Sequence, residues 1–147
     1  MDMKVIFSKK CELAIQSILY ISTFSNNTIV SAEDISLKLN QPKEFISKIL
    51  QSLTKSEVVG SKKGKEGGFF LKKDPSTIRL IDIVREIDGL DVFNHCVLGF
   101  EGCSSDNPCP VHDKWGKLRN EAYIMLSEET LADLKNKTIE KIKNIKK

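Results

Sequence analysis

The segment covering residues 31–55 constrains the fold most, because it carries two short helices in immediate succession. Ser31 heads a Ser-Ala-Glu-Asp capping pattern, which predicts a helix over residues 32–39. Asn40 tolerates the left-handed conformation that ends a helix, and Pro42 suits the first turn of the next one. This second helix places four aliphatic residues on its inner face: Ile46, Ile49, Leu50 and Leu53. Two helices joined by about three residues predict a helix-turn-helix.

A glycine-rich hairpin follows the helix pair directly. Residues 58–63 and 69–71 have the composition of strands, and residues 64–68 between them form a turn that contains three glycines. A two-stranded hairpin in this position is a wing. The order of elements predicts a mainly α fold with a small β wing, built around a winged helix-turn-helix domain.

Three further helical segments complete the predicted fold. Residues 7–24 carry a broad apolar stripe, which favours contact with both the core and a partner chain. Ser76 is the predicted cap of a helix over residues 77–88. A long helix begins at Asp113, with Ser127 as the cap of a further turn. Its apolar stripe lies outside the winged-helix core, so we expect a C-terminal dimerisation helix and a two-fold homodimer. The lysine-rich tail is expected to be frayed.

Positive charge is concentrated in the helix pair and the hairpin. Residues 38–73 carry a net charge of +6, from nine lysines and three acidic residues, whereas the whole chain carries +3. Charge alone is equally compatible with a solvated lysine face. Together with the helix pair and the wing, it predicts binding of double-stranded DNA. The predicted DNA-binding residues are Lys43, Glu44, Ser47, Lys48 and Gln51 of the second helix, and Lys62, Lys63 and Lys65 of the wing.

Residues 94–112 form the second functional feature, a long turn-rich segment between two predicted helices. It holds Cys96, Cys103 and Cys109, three of the four cysteines, and both histidines of the chain. Compact domains seldom keep loops of this length without a function. Thiolates bind soft metals and iron–sulfur clusters, and imidazole suits zinc, copper and iron. We therefore interpret this loop as the part that senses a signal, and the basic N-terminal half as the part whose DNA binding responds to it.

The expected compartment supports a metal site over disulfides. No apolar run approaches the roughly 18 residues of a membrane span. The N-terminus also lacks the apolar stretch of a secretory leader, so we expect a cytoplasmic protein with no membrane partner. Thiols stay reduced in the cytoplasm, where clustered cysteines favour a metal or redox site.

The chain resembles the Rrf-two family of bacterial winged-helix regulators, in its IscR- and NsrR-like group, nearly end to end. The resemblance is carried by residues 7–10 and Ala14, 58–64, 67–71, 78–84, 88–89, the cysteine triplet with His112, and 130–134. It implies a homodimeric transcription factor that binds a roughly two-fold operator, with Lys63 aligned to a wing arginine of the family. Lysine lacks the planar fork of arginine, so Lys63 and Lys65 are predicted to contact the DNA backbone or groove.

The resemblance also implies a cofactor. Family members with the cysteine triplet hold an iron–sulfur cluster, of the 2Fe–2S or 4Fe–4S type, and change DNA affinity with its state. The family has five residues in each gap between cysteines, whereas here the gaps are six and five. His112 matches the fourth ligand of the IscR-like branch, and Glu12 occupies about the place of a carboxylate that other members take from the partner subunit. His95 and Cys11 rank below them.

The resulting functional hypothesis is a regulator whose operator affinity is switched by the cluster, in response to iron, redox state or nitric oxide. The domains implied are a winged helix-turn-helix domain over 1–91, a cysteine-rich cluster-binding loop over 92–112, and a dimerisation helix with a basic tail over 113–147. Two alternatives stay open for the cysteines, a zinc site and free redox-sensing thiols. No substrate pocket or oxyanion donor set accompanies the Cys109 and His112 pair, so we do not expect an enzyme.

Overall fold

The computed structural model describes residues 6–145 as six helices and one two-stranded antiparallel sheet. The elements are α1 (Lys9–Ser22), α2 (Ala32–Leu39), α3 (Lys43–Leu53), β1 (Val59–Lys62), β2 (Gly68–Leu71), α4 (Leu80–Ile87), α5 (His112–Glu128) and α6 (Leu131–Lys143). This confirms the predicted mainly α fold with a β wing. Between residues 6 and 145, no helix combines the length and apolar character needed to cross a bilayer.

The α2–α3 pair forms as the sequence predicted. The Ser31 hydroxyl caps α2 by accepting a hydrogen bond from the Asp34 backbone N–H at 3.0 Å. Asn40 ends α2 in the left-handed conformation, with φ of 56° and ψ of 50°. The four aliphatic residues predicted on the inner face of α3 are all buried against α1 and α2. Burial of each such side chain contributes about 1.5–3 kcal/mol, which holds α3 with its polar face outward.

The wing is attached to the core through Phe69 and Val30. β1 and β2 pair with Lys62 opposite Gly68. Phe69 is buried, and it exchanges two backbone hydrogen bonds of 2.8 Å with Val30, the residue that precedes the cap of α2. A Cβ atom at Gly68 would collide with the backbone of Val30. Glycine at this position therefore lets the hairpin approach the helix-turn-helix closely.

The helix after the wing begins later than predicted, and the expectation of a Ser76 cap was wrong. Asp74 accepts hydrogen bonds from both the backbone N–H and the hydroxyl of Ser76, at 2.8 and 2.7 Å. Pro75–Thr77 consequently forms a short 3₁₀ turn, and α4 begins only at Leu80. The intervening Ile78 is extended because its carbonyl accepts a hydrogen bond from the Leu131 N–H at 2.8 Å.

The C-terminal region also differs from its expected form. The Ser127 hydroxyl donates to the Tyr123 carbonyl at 2.7 Å, so α5 continues to Glu128. Thr130 is the cap of α6, in a reciprocal pair with Asp133. Leu131 is fully buried in the core, and α6 packs against α1. The expectation of a frayed lysine-rich tail was therefore wrong as far as Lys143.

One buried polar group offers a stability test. The hydroxyl of Ser17, in the middle of α1, is inaccessible and has no hydrogen-bond partner among the described residues. An unpaired buried hydroxyl costs about 1–3 kcal/mol, and alanine is the better helix former. We expect Ser17→Ala to stabilise the protein by about 1 kcal/mol, which raises the melting temperature by roughly 2–4 °C.

The matched control is Ser22→Ala in the same helix. Ser22 is equally buried, but its hydroxyl donates to the Leu19 carbonyl at 2.6 Å. This substitution should give no comparable gain. Both variants are melted beside wild type by circular dichroism at one protein concentration, since self-association makes the melting temperature concentration-dependent. A Ser17→Ala variant that melts below wild type would contradict the prediction.

Candidate functional site

The cysteine loop is shaped by turns between the end of α4 and the start of α5. Gly89, Gly99 and Gly102 have φ of 76°, 81° and 68°, in the left-handed region that glycine adopts without strain. Ser104 and Asn107 exchange backbone hydrogen bonds across a further tight turn. These reversals fold the loop back on itself, so that cysteines distant in sequence come together.

The three sulfur atoms converge at the N-terminus of α5. The Sγ atoms of Cys96, Cys103 and Cys109 all lie within 4.8 Å of one another, and those of Cys96 and Cys109 are 3.5 Å apart. The Cys103 Sγ accepts a hydrogen bond from the Cys109 backbone N–H at 3.4 Å. His112, the first residue of α5, places its Nδ1 3.2 Å from the Cys103 Sγ. The histidine thus contacts the sulfur group through Cys103, but it does not lie within 4.8 Å of all three sulfurs.

The loop shifts the pKa values of two of its thiols in opposite directions. Desolvation acts to raise the pKa of Cys96, but hydrogen bonds from the backbone of Phe100 and Leu98 and from the neighbouring thiols outweigh it and lower the pKa to about 7. Burial raises the pKa of Cys109, and its two cysteine neighbours add to the rise. Cys96 is therefore partly a thiolate at neutral pH, which is the form that binds metals.

The donor set fits a metal centre. Three sulfurs and an imidazole nitrogen are ligands that zinc and iron–sulfur clusters both accept. Thiolates bound at 2.3 Å to one tetrahedral ion lie about 3.8 Å apart, close to the Cys96–Cys109 separation of 3.5 Å. All three cysteines are half-buried, which limits access of solvent while leaving a path for entry. The spacing of the sulfurs therefore matches a single tetrahedral ion as it stands. An iron–sulfur cluster, whose thiolates bind different irons, requires the sulfurs of this loop to move apart.

The other candidate ligands lie outside this group within one chain. Glu12 is exposed on α1, and its role as a ligand given by the partner subunit stays a prediction. Cys11 is fully buried in α1, where desolvation, with Asp88 and Glu12 nearby, raises the pKa of its thiol to about 12. The His95 side chain is exposed, and its backbone carbonyl accepts a hydrogen bond from the Trp115 indole at 2.8 Å.

Sequence reasoning missed the contacts that attach the first part of the loop, before Cys96, to α5 and α1. The Trp115 hydrogen bond ties the segment before Cys96 to α5, and Phe93 packs edge-on against Tyr123 with ring centroids 5.3 Å apart. Closer to α4, the Asp88 carboxylate accepts a hydrogen bond from the Ser8 N–H at 2.8 Å, which joins α4 to the start of α1. These pairs are 20 to 80 residues apart in sequence, and no local sequence pattern predicts them.

A second candidate site is the groove between α3 and the wing. It has a volume of about 290 Å³ and brings together six of the eight predicted DNA-binding residues: Lys43, Ser47, Gln51, Lys62, Lys63 and Lys65. Glu44 and Lys48 are exposed on α3 outside the groove lining. Ser31 and Glu33, at the start of α2, also line the groove and were not predicted. Four lysines against one glutamate make this groove positive.

The fold is that of known winged-helix regulators. CymR, the global cysteine regulator of B. subtilis, superimposes with a TM-score of 0.74 at 20% identity, covering 91% of this chain and 98% of CymR. IscR of T. potens gives a TM-score of 0.71 at 22% identity, covering 100% of this chain and 95% of that one. At these identities the likeness concerns the fold.

Sequence relatives extend the comparison to function. An Aquifex aeolicus protein, provisionally named as an HTH-type transcriptional regulator, is 33% identical over 134 residues, covering 90% of this chain and 92% of that protein. The HTH-type transcriptional regulator IscR of Yersinia pseudotuberculosis is 29% identical over 129 residues, covering 88% and 79%. These relatives are regulators, which confirms that the chain is not an enzyme. The sequence model of Rrf2, described as an iron-dependent transcriptional regulator, matches residues 7–137. The chain therefore belongs to the Rrf2 family of transcriptional regulators.

Proposed function

We propose that this regulator is a homodimer that binds an operator through the α3–wing groove and that an iron–sulfur cluster on Cys96, Cys103 and Cys109 sets its DNA affinity. The observation that carries the proposal is the convergence of the three Sγ atoms within 4.8 Å. The iron dependence in the description of the family supports iron as the metal. The same division of the chain is proposed, with the DNA-binding domain over 1–91, the cluster-binding loop over 92–112 and the dimerisation region over 113–147.

His112 is the proposed fourth ligand. Its Nδ1 lies 3.2 Å from the Cys103 Sγ, and its position at the first turn of α5 fixes the ring relative to the sulfurs. A bound cluster supplies redox chemistry and sensitivity to oxidant, nitric oxide and iron supply. The role of the chain is to present thiolates and to hold the loop between α4 and α5. A bound group would tie residues 96–109 to the start of α5 through Cys96, Cys103, Cys109 and His112.

The α5 helix is the proposed dimer contact. Leu118 and Met125, one stripe of this helix, are 61% and 60% exposed. Beside them lies an apolar groove of about 330 Å³, to which Val97 and Trp115 also contribute. An exposed apolar surface of this kind marks an interface. Because Val97 adjoins Cys96 and Trp115 holds His95, the state of the loop is physically connected to the surface that sets the angle between the two DNA-binding domains.

DNA binding is assigned to the positive groove. The outer face of α3 offers base-edge contacts, and the wing offers contacts to the phosphate backbone. Half-sites of a two-fold operator are spaced by about one helical turn or a multiple of it. A small rotation of the subunits changes how well both α3 helices fit at once.

The test begins with protein purified without oxygen. We expect a brown protein with visible absorbance, acid-labile sulfide and iron, and a measurable difference in operator affinity between holo and apo forms at the same salt concentration. The operator is found by selection from random duplex DNA. Equal binding of both forms to the selected sequence would contradict switching by the cluster.

The compact sulfur geometry favours zinc as a second candidate. The 3.5 Å separation of Cys96 and Cys109 is close to the edge of a single-ion tetrahedron. A colourless protein that retains zinc and no sulfide would support this alternative. A metal-free protein whose DNA binding responds to peroxide would instead support free thiols, with Cys96 as the reactive group because of its lowered pKa.

The fourth ligand can be assigned with three single variants. We expect His112→Ala to lower the iron content and shift the visible spectrum, because it removes the imidazole that contacts Cys103. His95→Ala is the matched control, since the His95 ring is exposed and only its backbone carbonyl is used. Glu12→Ala tests the carboxylate of the partner subunit. Iron loss in Glu12→Ala with an unchanged His112→Ala variant would assign the ligand to the partner.

A further inference from the structure

An apolar cavity between α6 and the winged-helix core lies outside both sites described above. It has a volume of about 510 Å³, is partly open to solvent, and is lined by residues from α1, α2, α4 and α6 and by Ile145 just after α6. Six aliphatic side chains form its walls: Leu19, Leu39, Leu80, Leu134, Ile142 and Ile145. The cavity shares no lining residue with the α3–wing groove or the cysteine loop. Its size and apolar character are those of small-molecule sites.

The polar groups of this cavity have one sign of charge. Lys137 and Lys141 lie one turn apart on α6, and both are exposed at the rim. Neither forms an ion pair with any carboxylate among residues 6–145. Like charges at this spacing repel each other, so an anion placed between them is favoured. The lining contains no acidic residue, and its only other polar side chains are Gln16 and Thr138.

The Thr138 hydroxyl is already satisfied. It donates to the Leu134 carbonyl at 2.8 Å, which leaves its methyl group for the cavity wall. The recognising groups are therefore an aliphatic interior and a dicationic rim. We infer that this cavity binds an amphipathic monocarboxylate, an acyl chain whose carboxylate lies between Lys137 and Lys141. A volume of about 510 Å³ lies in the range of small-molecule sites, so a medium-length acyl chain such as that of decanoate is the first candidate.

The test is calorimetric titration of the full-length protein with decanoate, below the concentration at which it forms micelles. Decyltrimethylammonium and decanol serve as probes with the same chain and a different head. We expect decanoate to bind with one site per chain, decanol at least tenfold more weakly, and the cationic analogue not at all. Equal affinity for all three heads would overturn the inference, because the lysines would then have no role.

Two double variants of equal charge separate recognition from general electrostatics. Lys137→Glu with Lys141→Glu should weaken decanoate binding at least tenfold. The control is Lys135→Glu with Lys143→Glu, which makes the same change in net charge on the same helix at residues outside the cavity lining. This control should weaken decanoate binding less than twofold. Equal losses in both double variants would overturn the inference.

Folding and self-association are controlled separately. Circular dichroism melting verifies each variant, and the Lys137→Gln, Lys141→Gln pair replaces any charge reversal that fails to fold. Ile142→Trp, near the end of α6, fills the cavity and should abolish binding of decanoate while retaining the fold. A wild-type protein that binds no decanoate would overturn the inference. A Lys137, Lys141 variant that changes oligomeric state in sedimentation would show that a second chain covers this surface and would also overturn it.

Discussion

Replacement of Lys62, Lys63 and Lys65 together by alanine should weaken binding of duplex DNA at 0.15 M salt by about a hundredfold for each chain that contacts the DNA, and by about the square of that factor for a homodimer. The three lysines crowd the wing side of the positive groove, opposite Lys43, Ser47 and Gln51 of α3. Each lysine–phosphate contact contributes a slope of about −0.9 in a plot of log affinity against log salt. The loss of three contacts in one chain changes the slope by about 2.7. Applied to the change from 1 M to 0.15 M salt, this slope corresponds to a loss of affinity of about a hundredfold for each chain.

The salt dependence is the decisive measurement for this variant. Fluorescence anisotropy with random-sequence duplex DNA, repeated over a salt series, should show the slope reduced by about 2.7 for each chain. A control variant with Lys114, Lys135 and Lys143 replaced by alanine loses the same charge, and these three residues lie outside the groove. If both triple variants show the same loss of affinity and slope, the wing has no specific role in binding.

Replacement of Cys103 by alanine should abolish the cofactor. Its sulfur holds the centre of the loop, because it accepts the Cys109 N–H at 3.4 Å and lies 3.2 Å from the His112 Nδ1. Loss of a partner that only orients a ligand already lowers metal affinity by about 10- to 100-fold, and loss of a ligand itself costs more. We expect iron and sulfide in the purified variant to fall below about a tenth of their wild-type content.

The matched control is Cys11→Ala. Cys11 is the fourth cysteine of the chain, is fully buried in α1 and has a pKa raised to about 12, so it remains a protonated thiol. The control should keep its visible spectrum and its holo–apo difference in DNA affinity, whereas Cys103→Ala should bind the operator as apo protein does. A Cys103→Ala variant that keeps wild-type iron would overturn the proposed ligand set.

The elements that sequence predicted well are those whose signals are local. α2 has the predicted bounds because Ser31 and Asn40 supply its cap and its left-handed end within one turn of the helix. The buried face of α3 follows from helical periodicity alone. The wing was recognised because glycines and lysines in the turn separate two short runs of strand-forming residues.

The predicted helix caps failed where two local signals competed. Ser76 and Ser127 are both good capping residues, yet Asp74 engages Ser76, and Ser127 bonds back to Tyr123 inside α5. The choice depends on whether Ile78 pairs with Leu131, a contact between residues 53 positions apart. That pairing starts α4 late and folds α6 onto α1.

By itself, the sequence determined the order of the helices and the wing, the side of α3 that is buried, and the identity of the cysteines that could bind a metal. These follow from periodicity, capping and residue chemistry, which act within a few positions. Only the tertiary structure decided that three sulfurs converge within 4.8 Å, that Asp88 holds Ser8, and that α6 closes an apolar cavity beneath two lysines. Each of these depends on the combined backbone angles of many residues and on packing between distant segments. No short stretch of the sequence contains a pattern that reveals this combined geometry.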